Sequence, residues 1–338
     1  MNGILVVNKE KNYTSRDIVN IVGKTLNTKK VGHTGTLDPI AEGVLVLCIG
    51  KSLKLVELLT SNDKEYIAKI KLGIETDTLD ITEKIIKEKE IPNLTKEQVI
   101  DCLNHFKGKI KQEVPKYSAI KVNGKKLYEY ARNNIEVKLP IKEVEIYDIE
   151  LISDIKDNEF SIKCKVSKGT YIRSLIRDIG NYLNTYATMK ELIRTKQGIF
   201  TIEDSYTIED IKNNNYKILN PMDVINIPKK IIDDNLAIKI KNGAVLPSFF
   251  KEDMIMLIDK NNNLLAIYKH IDKFDKGLFI GVGGSFDVMS GIKKRCPKLL
   301  IKLNLEWLYR ILKEPKRIKR FTKNNIEFVK EIRKSRGK

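Results

Sequence analysis

The chain has 338 residues, 42% of them hydrophobic, enough to fill the cores of two domains. No apolar run approaches the ~18 residues of a membrane span, and Ile4–Val7 is too short for a signal peptide. Net charge is +18, but residues 293–338 hold 17 Lys/Arg against 4 Asp/Glu, leaving about +5 on the first 292 residues, so the pI alone argues weakly for a nucleic-acid partner.

Ile4–Val7 reads as a strand, followed by the N-cap pair Thr14-Ser15 and a helix burying Ile18, Val19, Ile21, Val22 and Leu26. A glycine-punctuated loop runs from Gly32 to Gly43, then Val44–Ile49 is a continuously apolar, buried strand. A helix is expected from about Lys51. Lys64–Leu72 alternates, with Tyr66, Ala68, Ile70 and Leu72 on one face. Helices are predicted at 95–107, 124–133 and 171–183, and strands at Ile141–Ile152 and Glu159–Val166. From Pro228 to Phe279, strands around Met254–Ile258 and Leu264–Tyr268, joined by Asn261-Asn262-Asn263, suggest a small β-rich domain. Helices and strands are interspersed without βαβ repetition, so the expected class is α+β with a mixed or antiparallel sheet. Cys48, Cys102, Cys164 and Cys296 form no CxxC pair, and three histidines cannot complete a zinc site at standard spacing. Reduced thiols in a cytoplasmic, metal-free protein are expected.

The Gly32–Gly43 loop holds the group best suited to chemistry. Its glycines permit close ligand approach, and Pro39 pushes Asp38 toward an extended backbone above a rigid strand. A carboxylate so placed suits catalysis. It equally suits a plain turn, because Asp-Pro pairs are common turn formers, and composition by itself favours that reading.

The run Gly32-His33-Thr34-Gly35-Thr36-Leu37-Asp38-Pro39-Ile40-Ala41-Glu42-Gly43 resembles the signature of the TruB family, which converts a T-loop uridine of tRNA to pseudouridine. Lys64-Glu65-Tyr66, Gly73–Asp80, Tyr117–Tyr128, Lys168–Leu175 and Leu192-Ile193-Arg194-Thr195 with Gly198 follow in the family's order and spacing. Two departures stand out. Lys9-Glu10-Lys11-Asn12 replaces the family's Lys-Pro-x-Gly, which should loosen the turn after the first strand, and Pro115-Lys116 replaces a double proline.

The resemblance implies a pseudouridine synthase catalytic domain over 1–228 with a thumb-like insertion at about 108–138, and a small PUA-like RNA-binding domain over 229–279. It implies isomerisation of uridine 55 with the base flipped out, no cofactor, and a monomer acting on the tRNA T arm. Asp38 would be the nucleophile, Arg173 its ionic partner, and Tyr66 a ring stacked on the uracil that also moves a proton. Tyr171 would pack beneath the base and Leu192 beside it, and His33 would fill the gap the base leaves. Asp77 would be a polar substrate contact. Lys9, Lys121, Lys125 and Lys126 would meet phosphates. Attack at the sugar, addition to the base and a glycal route all remain open for the carboxylate. A non-catalytic tRNA-binding protein would keep the same fold.

Residues 280–338 resemble a different family. Ile280–Asp287, Arg295-Cys296-Pro297-Lys298 and Leu305–Arg310 are similar to the C-terminus of TagA/CpsF-type glycosyltransferases. The nucleotide-binding region of those enzymes has no counterpart upstream, so a fusion fragment without glycosyl transfer is expected. Leu299–Leu312, apolar residues interleaved with basic ones, fits a helix on an anionic membrane surface or RNA, or an orphaned segment.

Overall fold

The computed structural model describes residues 1–61, 63–242 and 250–269, so the segment 280–338 lies outside the described residues. Two compact units divide the chain, Met1–Asn226 and the residues from Ile227 onward. The strands of the first unit are β1 (Gly3–Lys9), β2 (Val31–His33), β3 (Glu42–Ile49), β4 (Lys64–Leu72), β5 (Ile74–Thr76), β6 (Ile85–Glu88), β7 (Gly108–Glu113), β8 (Lys121–Val122), β9 (Lys125–Lys126), β10 (Ile141–Leu151), β11 (Glu159–Val166), β12 (Ala187–Gln197) and β13 (Phe200–Thr201). Its helices are α1 (Ser15–Thr25), α2 (Val56–Thr60), α3 (Lys96–His105), α4 (Leu127–Arg132), α5 (Ile172–Tyr182), α6 (Ile208–Lys212) and α7 (Pro221–Val224).

The central sheet runs β1-β3-β12-β4-β11-β10-β7, with β2 added to β3 and β13 to β12. Its pairs are antiparallel except β3 with β12, so the sheet is mixed and the class α+β, as the interspersed pattern implies. Strand β4 buries Tyr66, Ala68, Ile70 and Leu72 on one face, and α5 lays Ile172, Leu175, Ile176 and Ile179 in the same apolar cluster. Helix α1 starts where its capping residues dictate. The Thr14 side chain accepts from the Asp17 N–H, and the Asp17 carboxylate accepts from the Thr14 N–H at 2.9 Å. Cys48, Cys102 and Cys164 are buried, and burial pushes each thiol up to about 12.

Three departures from the sequence reading have local causes. The expected helix at Lys51 is a 3-10 turn over Gly50–Leu55 before the short α2. Residues 124–133 divide into β9, closing a two-stranded hairpin with β8, and α4. Strand β12, central to the sheet, escapes period-two reading because register shifts at Met189/Glu191 and Arg194/Lys196 break the alternation.

In the second unit, β14 (Lys229–Ile231), β15 (Met254–Ile258) and β16 (Leu264–Lys269) form a small sheet with α8 (Asp234–Lys241). Ile232, Ala237, Ile240, Ile255, Leu257, Ala266 and Tyr268 fill its core. The Asn261-Asn262-Asn263 turn is fastened by the Asp259 carboxylate, which accepts from the N–H groups of Asn261 and Asn263, both at 2.9 Å.

Candidate active site

The Asp38 loop is held from all sides by groups far away in sequence. The buried Ser15 hydroxyl accepts from the Leu37 N–H at 2.8 Å and lies 3.1 Å from the Leu37 carbonyl. The Asp38 carbonyl accepts from the Ala41 N–H, closing a turn. From β12, Arg194 donates to the carbonyls of Val44 (2.6 Å) and Gly35 (3.1 Å). Gln197 donates to the Thr34 hydroxyl at 2.6 Å. At the exit, Gly43 has φ +98° and sits where a Cβ would lie 2.3 Å from the Arg194 carbonyl oxygen, so only glycine lets β3 approach β12.

Arg173 stands in the first turn of α5, with only 5% of its side chain exposed. A cation there opposes the helix dipole, so it needs acceptors, and it has them. Its Nε and Nη2 meet the two oxygens of Asp38 at 2.9 and 3.1 Å, a bidentate pair. Nη2 also donates to the Tyr117 carbonyl (3.0 Å), and Nη1 donates to the Thr78 carbonyl (2.7 Å) and lies 3.8 Å from Asp80. The start of α5 is fixed in turn by Gln112, buried on β7. Its side chain accepts from the Tyr171 N–H at 2.8 Å and donates to the Tyr171 carbonyl at 3.1 Å. The Asp38 side chain, unlike Arg173, keeps 31% of its surface open. A carboxylate aimed by a guanidinium, with one side free, can attack an electrophilic carbon or steady a cationic sugar.

Aromatic groups line the same neighbourhood. Tyr66 on β4 is buried beside its cross-strand partner Arg194. Burial pushes its phenol up, Arg194 pulls it down, and the Asp38 charge is near enough to raise it. Tyr171 is half-buried and subject to the same upward push from burial and from Asp38. Leu192 is buried on β12 opposite Ala68, in one apolar cluster with Tyr66 and Leu37. His33 ends β2; its buried Nδ1 has no hydrogen-bond partner among the described residues, and burial, then Arg194 and Arg16, keep the imidazole pKa low.

Two of the expected substrate contacts have other employment. Lys9 is fully buried, and its ammonium donates to the carbonyls of Tyr13 (2.7 Å), Glu10 (2.9 Å) and Pro39 (3.2 Å), so it braces the loop from below and offers nothing to a phosphate. Burial brings it down to about 8, against the opposing charges of Asp38 and Glu42. Nor is the neighbouring turn loose. Asn12 takes the left-handed conformation (φ 69°) suited to the family's glycine, and its N–H donates to the Pro39 carbonyl. Asp77 accepts from the Tyr117 hydroxyl at 2.8 Å and lies 3.4 Å from Lys116 Nζ. The hairpin lysines Lys121 and Lys125 are exposed, and Lys126 packs over the Tyr128 ring at 5.3 Å.

Asp80, Arg194 and Gln112 complete the site without having been singled out from sequence. For Gln112 a signal existed, a polar residue at an inward position of a strand; Asp80 and Arg194 sat inside motifs that assign them no chemistry. Burial raises the Asp38 pKa, Arg173 opposes this, and Asp80 adds a further upward push. As pH falls, Asp38 therefore takes up its proton earlier than an ordinary aspartate would. Asp80→Asn keeps an oxygen for the Thr78 and Thr82 hydroxyls yet removes the charge, so the acid limb of kcat should move to lower pH. A pH–rate profile of both proteins checks this; an acid limb unmoved or moved upward would refute it.

Among the described residues no three His, Cys, Asp or Glu side chains converge as a metal-ligand set, and no helix is long and apolar enough to cross a membrane. A mixed sheet presenting one bidentately guanidinium-paired carboxylate on a braced loop agrees with the pseudouridine synthase site that the sequence motifs lead one to expect. The model of the TruB family pseudouridylate synthase N-terminal domain matches residues 23–172, and that of the tRNA pseudouridylate synthase B C-terminal domain matches 173–225. The chain is 44% identical over 287 residues to the tRNA pseudouridine synthase B of Clostridium tetani, covering 84% of this chain and 95% of that one. It is 41% identical over 288 residues to the Bacillus subtilis protein of the same name, covering 79% and 93%. The chain belongs to the TruB family. Among solved structures, an H/ACA RNP bound to a substrate RNA containing 2'-deoxyuridine matches with TM-score 0.59 and 25% identity, over 82% of this chain and 83% of that one. A Cbf5-Nop10-Gar1 complex shares the fold at TM-score 0.61 and 24% identity, with the same coverage. The glycosyl transferase WecG/TagA/CpsF family model matches 261–338, so that similarity begins before β16 and not at 280.

Proposed function

We propose that this chain isomerises uridine 55 in the T loop of tRNA to pseudouridine, with Asp38 as the attacking group. The observation that carries the reading is the bidentate Arg173–Asp38 pair, with the guanidinium buried and the carboxylate partly open. The reaction breaks the N1–C1′ bond and forms a C5–C1′ bond, while C5 loses a proton and N1 gains one. Nothing leaves and no electron is exchanged, so a carboxylate and a proton carrier suffice. Asp38 attacks or stabilises the reacting carbon, Tyr66 stacks on the flipped ring and moves the proton, and Tyr171 and Leu192 form the floor and wall. His33 fills the gap in the RNA. The exposed lysines of the β8–β9 hairpin meet the T-arm backbone, and the second unit serves as a PUA-like contact to the acceptor arm. The enzyme works as a cytoplasmic monomer.

Incubating unmodified tRNA with the full chain, and mapping pseudouridine by mass spectrometry, should give one modified T-loop uridine. An unmodified T loop would sink the reading. A chain stopped after Phe279 should be equally active if the segment 280–338 is a passenger.

A further inference from the structure

Within the thumb-like insertion, Tyr117 touches the reaction centre through both its backbone and its side chain. Its backbone carbonyl accepts from Arg173 Nη2 at 3.0 Å, and its hydroxyl donates to Asp77 at 2.8 Å. Asp77 also lies 3.4 Å from the ammonium of the adjacent Lys116. The stretch of backbone just before is stitched to α5, where Ser174 donates to the Glu113 carbonyl (2.8 Å) and Arg177 pairs with the Glu113 carboxylate (3.0 Å). On the other side, Asp77 precedes Thr78, whose carbonyl accepts from Arg173 Nη1 at 2.7 Å. Tyr117 and Asp77 thus close a ring with Arg173: each supplies or adjoins a carbonyl acceptor of the guanidinium, and their side chains lock the two backbones together. The carboxylate of Asp77 accepts this hydroxyl strongly enough to push the Tyr117 phenol up to about 12.

We propose that Tyr117 and Asp77 form a latch that positions Arg173, and through it Asp38, by fixing the root of the thumb against the 73–80 loop. Both are positioning residues. Asp77 acts by holding Tyr117 and does not contact the substrate. The latch rests on the pseudouridine synthase reading for its kinetic consequence, though not for its structural one.

Tyr117→Phe removes one oxygen and leaves the ring, and Asp77→Ala removes the acceptor. With full-length protein and unmodified tRNA, each should lower kcat by roughly tenfold while KM stays within about twofold, the scale of one lost charge-assisted hydrogen bond acting through geometry. The double variant should be no slower than the slower single, because both delete one interaction. Asp77→Asn keeps an acceptor oxygen and should recover most of the lost rate. Unchanged kcat, a loss confined to KM, or additive losses would overturn the latch. If Tyr117→Phe melts early, Asp77→Ala against Asp77→Asn, made at a side chain 35% exposed, decides the question. If the wild-type chain forms no pseudouridine, the functional reading fails and the latch is read by amide hydrogen exchange of residues 115–119. Faster exchange in Asp77→Ala supports it, and unchanged exchange rules it out.

Discussion

Asp38→Asn should leave a folded protein that binds tRNA and makes almost no pseudouridine, with kcat reduced by about 10⁴-fold or more. The substitution is close to isosteric, and the surrounding loop does not depend on the Asp38 charge. Ser15 holds the Leu37 backbone, Arg194 holds Gly35 and Val44, and Lys9 holds Pro39. What the substitution removes is one carboxylate oxygen, the one proposed to attack. An amide cannot attack a sugar carbon, and its NH₂ would face the Arg173 donors, so one of the two contacts becomes repulsive. Single-turnover rates, with tRNA affinity measured in parallel, separate chemistry from binding. Retained turnover would move the nucleophile elsewhere; lost affinity would point instead to a binding role for Asp38.

Arg173→Lys should cost less turnover, roughly 10²- to 10³-fold, and should also destabilise the fold by about 3 kcal/mol. Arginine serves both Asp38 oxygens, the Thr78 and Tyr117 carbonyls and, at longer range, Asp80 from three separated nitrogens. A lysine has three protons on one atom and cannot span that arc. A single ammonium could not stand beside both Asp38 and the buried Asp80, so its charge would be held farther from Asp38, whose carboxyl would be less readily ionised. The expected signature is a lower melting temperature together with an acid limb of kcat displaced to higher pH. Wild-type stability with wild-type kcat would contradict this account.

Much of the first unit was legible because its local signals are strong. Period-two burial on β4 and the capping residues of α1 each read directly onto the observed element. Where register shifts interrupt the pairing, as they do between β12 and β4, periodicity loses the element, since each shift breaks the alternation it depends on. The site divides in the same way. Asp38 on its own read more readily as a turn residue than as a nucleophile, and only the surrounding motifs pointed it toward chemistry. Lys9 and Asp77 illustrate the opposite limit. A motif lists the residue types a site requires, but whether a lysine faces phosphate or three carbonyls is decided by burial that no local pattern encodes. Asp77 likewise found its partner across the fold, at Tyr117.

The fastening of the Asp38 loop has a bearing on biosynthesis. Arg173 lies 135 residues beyond Asp38, Arg194 lies 150 beyond Val44, and Gln197 lies 163 beyond Thr34. Contacts this distant in sequence cost more chain entropy to close than local ones and slow folding. A ribosome must have released Gln197 before the loop near the start of the chain can take its final shape. The Asp38 carboxylate is therefore translated well before the residues that fasten its loop, and a nascent chain stopped short of them carries it without those restraints.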